Sequence, residues 1–290
     1  MKSENTIGII GYGMVGRAIH HGFAQSADFR IYDVKDSICE NTFEDTVKDS
    51  DFIFVSVPTP MKSSNEEFDS SIMDETINKI NKLAKGTDKI VIIKSTILPG
   101  TIDRYNQKYP ETTIVFSPEF LTGRTSKLDF INPSRIIFGL KHTKDEKMKE
   151  VINKIYNLYS PRFPGQQIHF TDARTAEMVK YVSNCFLSTK VIFFNEMKQI
   201  CDKLGLRYDR VIKYVLMDGR IGNSHWEVPG HDGDYGIGGL CFPKDLNSLK
   251  QLAKDLDVEP TILEAVWKKN LEVRKNRDWE EIEGAVSDES

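Results

Sequence analysis

The chain has 290 residues, of which 39% are hydrophobic and 28% charged, and its formal net charge is −4. These are ordinary values for a soluble protein, and the weak acidic balance gives no indication of a nucleic-acid or membrane-surface partner. No stretch approaches the roughly 18 apolar residues that span a bilayer, and the N-terminus lacks a signal-peptide pattern, so we expect a cytoplasmic protein.

The first 170 residues alternate short apolar runs with helical patterns. The apolar runs predict strands at residues 6–10, 29–33, 51–57, 89–94, 113–116 and 135–139. Helical patterns between most of these runs include residues 14–24, 71–83 and 144–159. Near-continuous apolar strands that alternate with helices indicate an α/β fold with a Rossmann-like, doubly wound parallel sheet.

After residue 170 the pattern becomes helical. Helices are predicted at residues 173–204, 208–216, 246–256 and 261 to about 279, with a glycine-rich loop at 219–243. The acidic last residues, 280–290, predict a frayed tail. We therefore expect one domain at 1–170 and, at 171–290, an all-helical domain that has a long C-terminal helix and serves dimerisation.

A glycine fingerprint follows the first predicted strand. GYGMVG contains Gly11, Gly13 and Gly16, and Asp33 closes the next strand. This pattern is typical of a dinucleotide site, and an acid at Asp33 favours NAD over NADP because it repels a 2′-phosphate. The same residues would also suit a tight turn without a ligand. The expected cofactor contacts here are Gly11, Gly13, Met14, Val15, Gly16 and Asp33.

Two more loops are predicted to follow strands at the same edge. Pro58-Thr59-Pro60 follows the third predicted strand, and Ser95-Thr96 follows the fourth. Ligands of open α/β sheets bind at the carboxyl ends of strands, so Thr59 and Thr96 are candidate cofactor contacts. Each loop taken alone would equally serve as chain punctuation.

A second motif lies in the helical half. In GGLCFPKD, Cys241 follows the glycines Gly238 and Gly239 and precedes Lys244 and Asp245. A helix beginning near Pro243, together with the lysine, would favour the thiolate and so a nucleophilic cysteine. A buried, inert cysteine is the competing interpretation. The four cysteines show no CxxC pairing and the six histidines no metal-ligand spacing, so we expect reduced thiols and no metal.

Three further polar residues are candidates. Lys180 and Asn184 are four apart, so they share a helix face and would stabilise an oxyanion, although a solvated lysine and an unrelated asparagine would have the same spacing. Glu119 in SPEF follows a predicted strand and would activate water, or it is simply an acid at a helix start.

Taken in order, these motifs resemble the UDP-glucose/GDP-mannose dehydrogenase family, most closely its members that act on UDP-glucose. The segments that carry the resemblance are GYGMVG, SVPTP, KSTILPGT, SPEFL, NPSRIIFG, residues 177–196, RIGNSHWEVPG and GGLCFPKD. They occur in family order between residue 6 and about residue 275. Alone, the glycine fingerprint is weak, whereas GGxCFPKD is specific.

The resemblance implies a four-electron oxidation of the C6 alcohol of a nucleotide sugar, with reduction of two NAD. It makes Cys241 the nucleophile that carries a thiohemiacetal and then a thioester. Lys180 and Asn184 stabilise the oxyanion, and Asp245 helps a water act as base. Glu119 and Thr96 position or activate the hydrolytic water.

The remaining implied contacts concern ligands and assembly. Lys244 lies near the cofactor. Arg220 resembles an arginine that reaches a neighbouring subunit's substrate, which implies a homodimer. The implied substrate contacts are Glu119, Phe120, Leu121, Lys180, Asn184, Arg220, Gly238 and Cys241.

The chain departs from the family pattern in two places. The family has a second glutamate four residues after the first, and Gly123 stands at that position, which puts part of the nicotinamide or water contact in doubt. The resemblance also implies a third domain that holds the nucleotide, which we do not expect within these 290 residues. UDP-N-acetylhexosamine or GDP-mannose therefore remain alternative substrates. A two-electron hydroxyacid dehydrogenase and a non-catalytic NAD-binding subunit remain alternative functions.

Overall fold

The computed structural model describes residues 5–62, 67–141 and 146–287. Numbered in chain order, the strands are β1 (Thr6–Ile10), β2 (Asp28–Tyr32), β3 (Phe52–Val55), β4 (Met61–Lys62), β5 (Ile90–Ile93), β6 (Thr113–Phe116), β7 (Ile136–Leu140), β8 (Ile168–Asp172) and β9 (Val286–Ser287). The α-helices are α1 (Met14–Phe23), α2 (Phe43–Lys48), α3 (Ser71–Ala84), α4 (Thr101–Lys108), α5 (Ser126–Ile131), α6 (Glu146–Tyr159), α7 (Ala173–Lys203), α8 (Tyr208–Val215), α9 (Phe242–Asp255) and α10 (Thr261–Val273).

The described residues divide into two compact units. The first contains the described residues of 1–59 and 70–180, and the second contains those of 60–69 and 181–290. The division lies within the continuous helix α7, ten residues beyond the predicted boundary at 170. Each unit has its own hydrophobic core.

The first unit is built on a sheet with strand order β2-β1-β3-β5-β6-β7-β8. All neighbouring strands are parallel except β6 and β7, which are antiparallel. Strands β3, β5 and β6 are buried at every position, as expected where helices cover both faces. The predicted Rossmann-like sheet is confirmed.

The order of strands creates a switch point between β1 and β3. The chain leaves β1 toward β2 on one side and returns to β3 on the other. After β1 and β3 the chain therefore continues to opposite sides of this point, and the carboxyl edge between the two strands is where such sheets bind ligands. Here the Ser56 hydroxyl donates a 2.8 Å hydrogen bond to the Gly11 carbonyl.

The second unit is mainly helical. Its core includes Ile192 of α7, Leu246 of α9 and Trp267 of α10, and Trp279 packs 5.4 Å from Trp267 between ring centroids. None of the helices in the described parts of the chain is long and apolar enough to cross a membrane.

Two predictions for the C-terminal part were wrong. The helix predicted to reach residue 279 ends at Val273, and a separate 3₁₀ turn covers Asp278–Glu280. The predicted frayed tail is ordered as far as residue 287, because β9 pairs with β4 and the Met61 N–H donates to the Ala285 carbonyl at 2.9 Å. The predicted tail positions 288–290 lie outside the described residues.

Candidate active site

The three fingerprint glycines are required for three different reasons. Gly11 has a φ of +90°, and a Cβ there would lie 2.6 Å from the Ser56 carbonyl oxygen. A Cβ at Gly16 would lie 2.3 Å from the Gly11 carbonyl oxygen. A Cβ at Gly13 would meet nothing within 4 Å, so this position leaves open space at the start of α1. Gly11 makes the turn, Gly13 leaves space for a ligand, and Gly16 lets the helix pack closely on the loop. This arrangement suits a pyrophosphate at a helix N-terminus.

Asp33 is fixed beside this loop. Its Oδ2 accepts a 2.6 Å hydrogen bond from the Tyr12 N–H, and its Oδ1 accepts one of 2.9 Å from the Lys35 N–H. Each carboxylate oxygen keeps a second acceptor site, which suits the two hydroxyls of a ribose. The chain's own residues therefore fit NAD at this edge of the sheet.

The other expected cofactor contacts lie at the same edge. Thr59 is buried within the loop that follows β3, and Thr96 is half-buried in the loop after β5. Met14 and Val15 begin α1, and Met14 is 38% exposed. The structure therefore gathers most of the predicted cofactor residues on the first unit, at the carboxyl ends of β1, β2, β3 and β5.

Glu119 is enclosed by two lysines of the same unit. The Lys94 ammonium, at the end of β5, lies 3.1 Å from Glu119 Oε2 and donates to Ser117 Oγ at 3.1 Å. The Lys180 ammonium, on α7, donates a 2.5 Å hydrogen bond to the Glu119 backbone carbonyl. Glu119 and Lys180, which the sequence proposed separately, are therefore in contact.

Phe120 and Leu121 follow Glu119 and are half-buried. The Arg135 guanidinium lies 4.0 Å from the centroid of the Phe120 ring, and the Lys180 ammonium nitrogen lies 5.7 Å from the same centroid. Both cations are thus held around an aromatic ring, which stabilises their position at a partly desolvated site.

In the second unit, Asp245 is the centre of a buried polar cluster. Its Oδ2 accepts a 2.5 Å hydrogen bond from the Asn184 amide, and its Oδ1 accepts one of 2.6 Å from the Lys244 ammonium. Asp245 is fully buried, and Asn184 and Lys244 are less than 10% exposed. A buried carboxylate needs such partners, because an unpaired one is costly. The ammonium of Lys244 therefore pairs with the carboxylate of the next residue, Asp245.

Cys241 immediately precedes this cluster in the chain. It is the N-cap residue of α9, whose first turn contains Pro243 as predicted, although the helix begins earlier than residue 246. Of the four cysteines, Cys185 and Cys201 are buried, Cys39 is partly buried and Cys241 is exposed. Burial, with a smaller contribution from Asp245, raises the pKa of the Cys185 thiol, so that thiol is protonated and inert. An accessible sulfur at a helix N-terminus is the arrangement that suits a nucleophile.

The glycines before Cys241 have a structural role that the sequence did not suggest. A Cβ at Gly238 would lie 2.1 Å from the Arg274 guanidinium, and the Gly239 N–H donates to both carboxylate oxygens of Asp278 at 3.1 Å. Arg274 is buried and pairs with Asp232 at 2.8 Å and Asp278 at 3.2 Å. These ion pairs fasten the glycine loop to the segment after α10.

Arg220 is not brought to the cluster around Asp245. Its guanidinium is exposed and pairs with Asp218, where the shortest contact is 2.5 Å. This arrangement leaves it on the surface of the second unit.

The sequence did not single out Lys94, Arg274 or Asp278. In the sequence, Lys94 is the first residue of KSTILPGT. Its position directly after an apolar strand is the feature that could have indicated a functional lysine. Metal ligands are not clustered either: within residues 5–62, 67–141 and 146–287, no group of three His, Cys, Asp or Glu side chains could hold an ion.

Comparison with known protein families gives two matches to one family. Residues 174–272 match the central domain of the UDP-glucose/GDP-mannose dehydrogenase family, and residues 33–160 match its NAD-binding domain. The second match begins at Asp33, so the glycine fingerprint lies just before it. Together the two matches cover most of the chain.

Individual relatives agree with the family. A UDP-glucose 6-dehydrogenase of Rickettsia bellii is 34% identical over 234 residues, which are 79% of this chain and 51% of the relative. A UDP-glucose 6-dehydrogenase of Bacillus subtilis is 34% identical over 238 residues, with 80% and 51% covered. The chain thus spans about half the length of these curated relatives.

Among solved structures, a UDP-glucose dehydrogenase of the archaeon Pyrobaculum islandicum superposes with a TM-score of 0.81 at 25% identity. The superposition covers 92% of this chain and 68% of that one. The likeness therefore includes both the sheet and the helical region of this chain, and about a third of the solved chain lies outside it.

Proposed function

The chain belongs to the UDP-glucose/GDP-mannose dehydrogenase family, and on that premise we propose that it oxidises the C6 alcohol of a nucleotide sugar to a carboxylate with NAD. The expected substrate is UDP-glucose and the product UDP-glucuronate. NAD, when bound, accepts the hydrides. The observation that carries this function is the exposed thiol of Cys241 at the N-terminus of α9, directly before the buried cluster around Asp245.

The proposed reaction begins with oxidation of the alcohol and continues on Cys241. Removal of the first hydride from the alcohol gives an aldehyde, and a water held by Asp245 takes the hydroxyl proton. The Cys241 thiolate then adds to the aldehyde carbon and forms a thiohemiacetal, whose oxyanion Lys180 and Asn184 stabilise. Loss of the second hydride leaves a thioester on the sulfur.

Water then releases the product. It adds to the thioester carbonyl carbon and gives one proton to the Glu119 carboxylate, with Thr96 as a positioning group. The carbon–sulfur bond breaks, the acid leaves, and Cys241 returns as a thiolate. The Lys94 contact supports this role because the ammonium, 3.1 Å from Glu119 Oε2, holds the carboxylate in place.

A second copy of the chain is the proposed partner. Five apolar side chains, four on α7 and Leu204 directly after it, are 46–67% exposed and recur at spacings of 4, 7, 7 and 4, which places the four helical ones on one face. This α7 stripe consists of Val182, Phe186, Phe193, Ile200 and Leu204. An exposed apolar stripe of this length is typical of an interaction surface. In a dimer, the exposed Arg220 would be able to contact the substrate bound to the other subunit.

The deciding experiment is the amount of NADH formed per UDP-glucose consumed, with excess NAD. A ratio of two supports the full oxidation, and Cys241→Ser should then stop after the aldehyde stage. Cys39→Ser, a change at a cysteine outside this cluster, is the matched control and should keep the ratio of two. Nearly full activity of Cys241→Ser would instead indicate a two-electron dehydrogenase. NAD binding without turnover of any nucleotide sugar would indicate a non-catalytic subunit.

A further inference from the structure

A cavity of about 230 Å³ lies behind Glu119 in the first unit. Its rim is formed by exposed residues such as Thr122, Asn132 and Ser134, and its floor by buried ones. The floor contains Lys94, Ser117 and Tyr159. A cavity that runs from an exposed rim to a buried polar floor is accessible to small polar molecules.

Two buried oxygens in the lining of this cavity have unused hydrogen-bonding capacity. Within the described ranges, the Tyr159 hydroxyl has no hydrogen-bond partner in the protein, and Glu119 Oε2 forms an ion pair with Lys94 at 3.1 Å. Tyr159 is 2% exposed, and its ring packs edge-on against Phe23 and Phe138. Burial, and then the nearby Glu119 carboxylate, raise the pKa of Tyr159 well above its ordinary value, so its hydroxyl keeps its proton and can donate.

Buried oxygens with unused capacity in the lining of one cavity are suited to ordered water. A buried polar atom without a partner costs about 1–3 kcal/mol, and native proteins satisfy such atoms with ordered water where the site is polar and roomy. The cavity far exceeds the roughly 10–15 Å³ that one water needs, and Lys94 supplies a further donor at 3.1 Å from Glu119 Oε2.

We propose that this cavity is a hydration site in which the Tyr159 hydroxyl and the Lys94 ammonium hold ordered water against Glu119 Oε2. Tyr159 and Lys94 are thereby positioning residues for the hydrolytic step, and this second part rests on the proposed function. Water from the cavity replaces the water molecule beside Glu119 that each hydrolysis consumes. The step itself is unchanged: water adds to the thioester carbon, Glu119 takes a proton, and the sulfur leaves.

Gly123 is consistent with this arrangement. It is exposed next to the rim residue Thr122, and a Cβ there would meet nothing within 4 Å. This position therefore contributes no side chain to the surroundings of Glu119. Tyr159 and Lys94 are the groups that the cavity offers.

The first test does not depend on activity. Crystal structures of the intact chain and of Tyr159→Phe are compared at a resolution that orders water. We expect a water within about 3.2 Å of both the Tyr159 hydroxyl and Glu119 Oε2 in the unchanged chain, and its loss in the variant. A dry cavity, or a direct Tyr159–Glu119 hydrogen bond, overturns the inference whether or not the chain turns over a substrate.

The second test addresses the hydrolytic step. After mixing with UDP-glucose and excess NAD, the acyl group on Cys241 is measured by intact mass. Tyr159→Phe should accumulate the acyl-enzyme and lower kcat about ten-fold, with KM changed by less than about two-fold. Tyr109→Phe is the matched control, because this tyrosine is also buried but its hydroxyl contacts Asn78 on another part of the unit.

The outcomes separate the two claims. Turnover by the unchanged chain with no extra acyl-enzyme in Tyr159→Phe overturns the positioning role. Ordered water in the cavity without turnover of any nucleotide sugar supports the hydration site and contradicts the proposed function alone.

Discussion

The side-chain amide of Asn184 donates a 2.5 Å hydrogen bond to Oδ2 of Asp245, 61 positions later in the chain. The bond joins α7 to the first turn of α9, and both residues are buried. Since Lys244 occupies the other carboxylate oxygen, the two donors together balance a charge that is fully removed from water. The polar cluster that follows Cys241 is therefore also a structural link within the second unit.

Loss of this link should destabilise the protein. Asn184→Ala leaves a buried carboxylate oxygen without its donor, and we expect the free energy of unfolding to fall by about 1–3 kcal/mol. Urea denaturation measures the change. Gln199→Ala, a half-buried amide on the same helix, is the control and should change stability by less than about 0.5 kcal/mol. Equal effects of the two variants would contradict a special role of the bond.

The fingerprint glycines offer a matched pair. Gly11→Ala forces a side chain into a φ of +90° and against the Ser56 carbonyl, so we expect a loss of about 1–3 kcal/mol in stability. Gly13→Ala meets no atom of the chain and should leave the unfolding temperature unchanged, while it weakens NAD binding by obstructing the pyrophosphate. Thermal unfolding and calorimetric titration with NAD distinguish the two. Unchanged NAD affinity of Gly13→Ala would contradict the proposed cofactor position.

Glu177 should make stability depend on pH. Its carboxylate accepts hydrogen bonds from the Gly100 and Ile102 N–H groups at 2.6 and 2.9 Å, yet burial raises its pKa from 4.5 to about 7. Between these values the folded chain binds more protons than the unfolded one. The contribution of this group is therefore full below about pH 4.5 and is lost as the pH rises to about 7.

Denaturation at several pH values tests this expectation. Glu177→Gln should remove that part of the slope, which amounts to about 2–3 kcal/mol across the window, and should lower stability at acid pH because one N–H loses its acceptor. Glu196→Gln, an exposed acid on the same helix, should keep the slope of the unchanged chain. A slope that persists in Glu177→Gln assigns the effect to other groups.

The α7 stripe should control self-association. Phe186, at 65%, is the more exposed of the two phenylalanines in the stripe, and Phe186→Glu introduces a charge into the proposed interface. We expect a dimer for the unchanged chain and a monomer for the variant, measured by sedimentation equilibrium. Tyr156→Glu, an exposed aromatic on α6, should remain dimeric. A monomer for the unchanged chain at micromolar concentration would contradict the dimer.

Elements with a clear local pattern were predictable from sequence. The strand β1 and the strand β6 have the predicted bounds, and α7 ends within one residue of its predicted end. Continuous apolar runs and helical periodicity are local properties, since each residue's burial follows from its position in a regular element. The ends of α9 and α10 differed because caps and turns depend on contacts that periodicity does not describe.

By itself, the sequence determined the Rossmann-like sheet, the NAD fingerprint, the family, and the types of side chain available for the chemistry. Only the tertiary structure decided which of them meet. It pairs Lys94 with Glu119, gives the Lys244 ammonium to Asp245, and joins the supposed tail to Met61. The physical reason is that neighbouring strand ends and packed helices bring together residues far apart in the chain. A local pattern specifies the face of an element, whereas the partner across that face is set by how the elements pack.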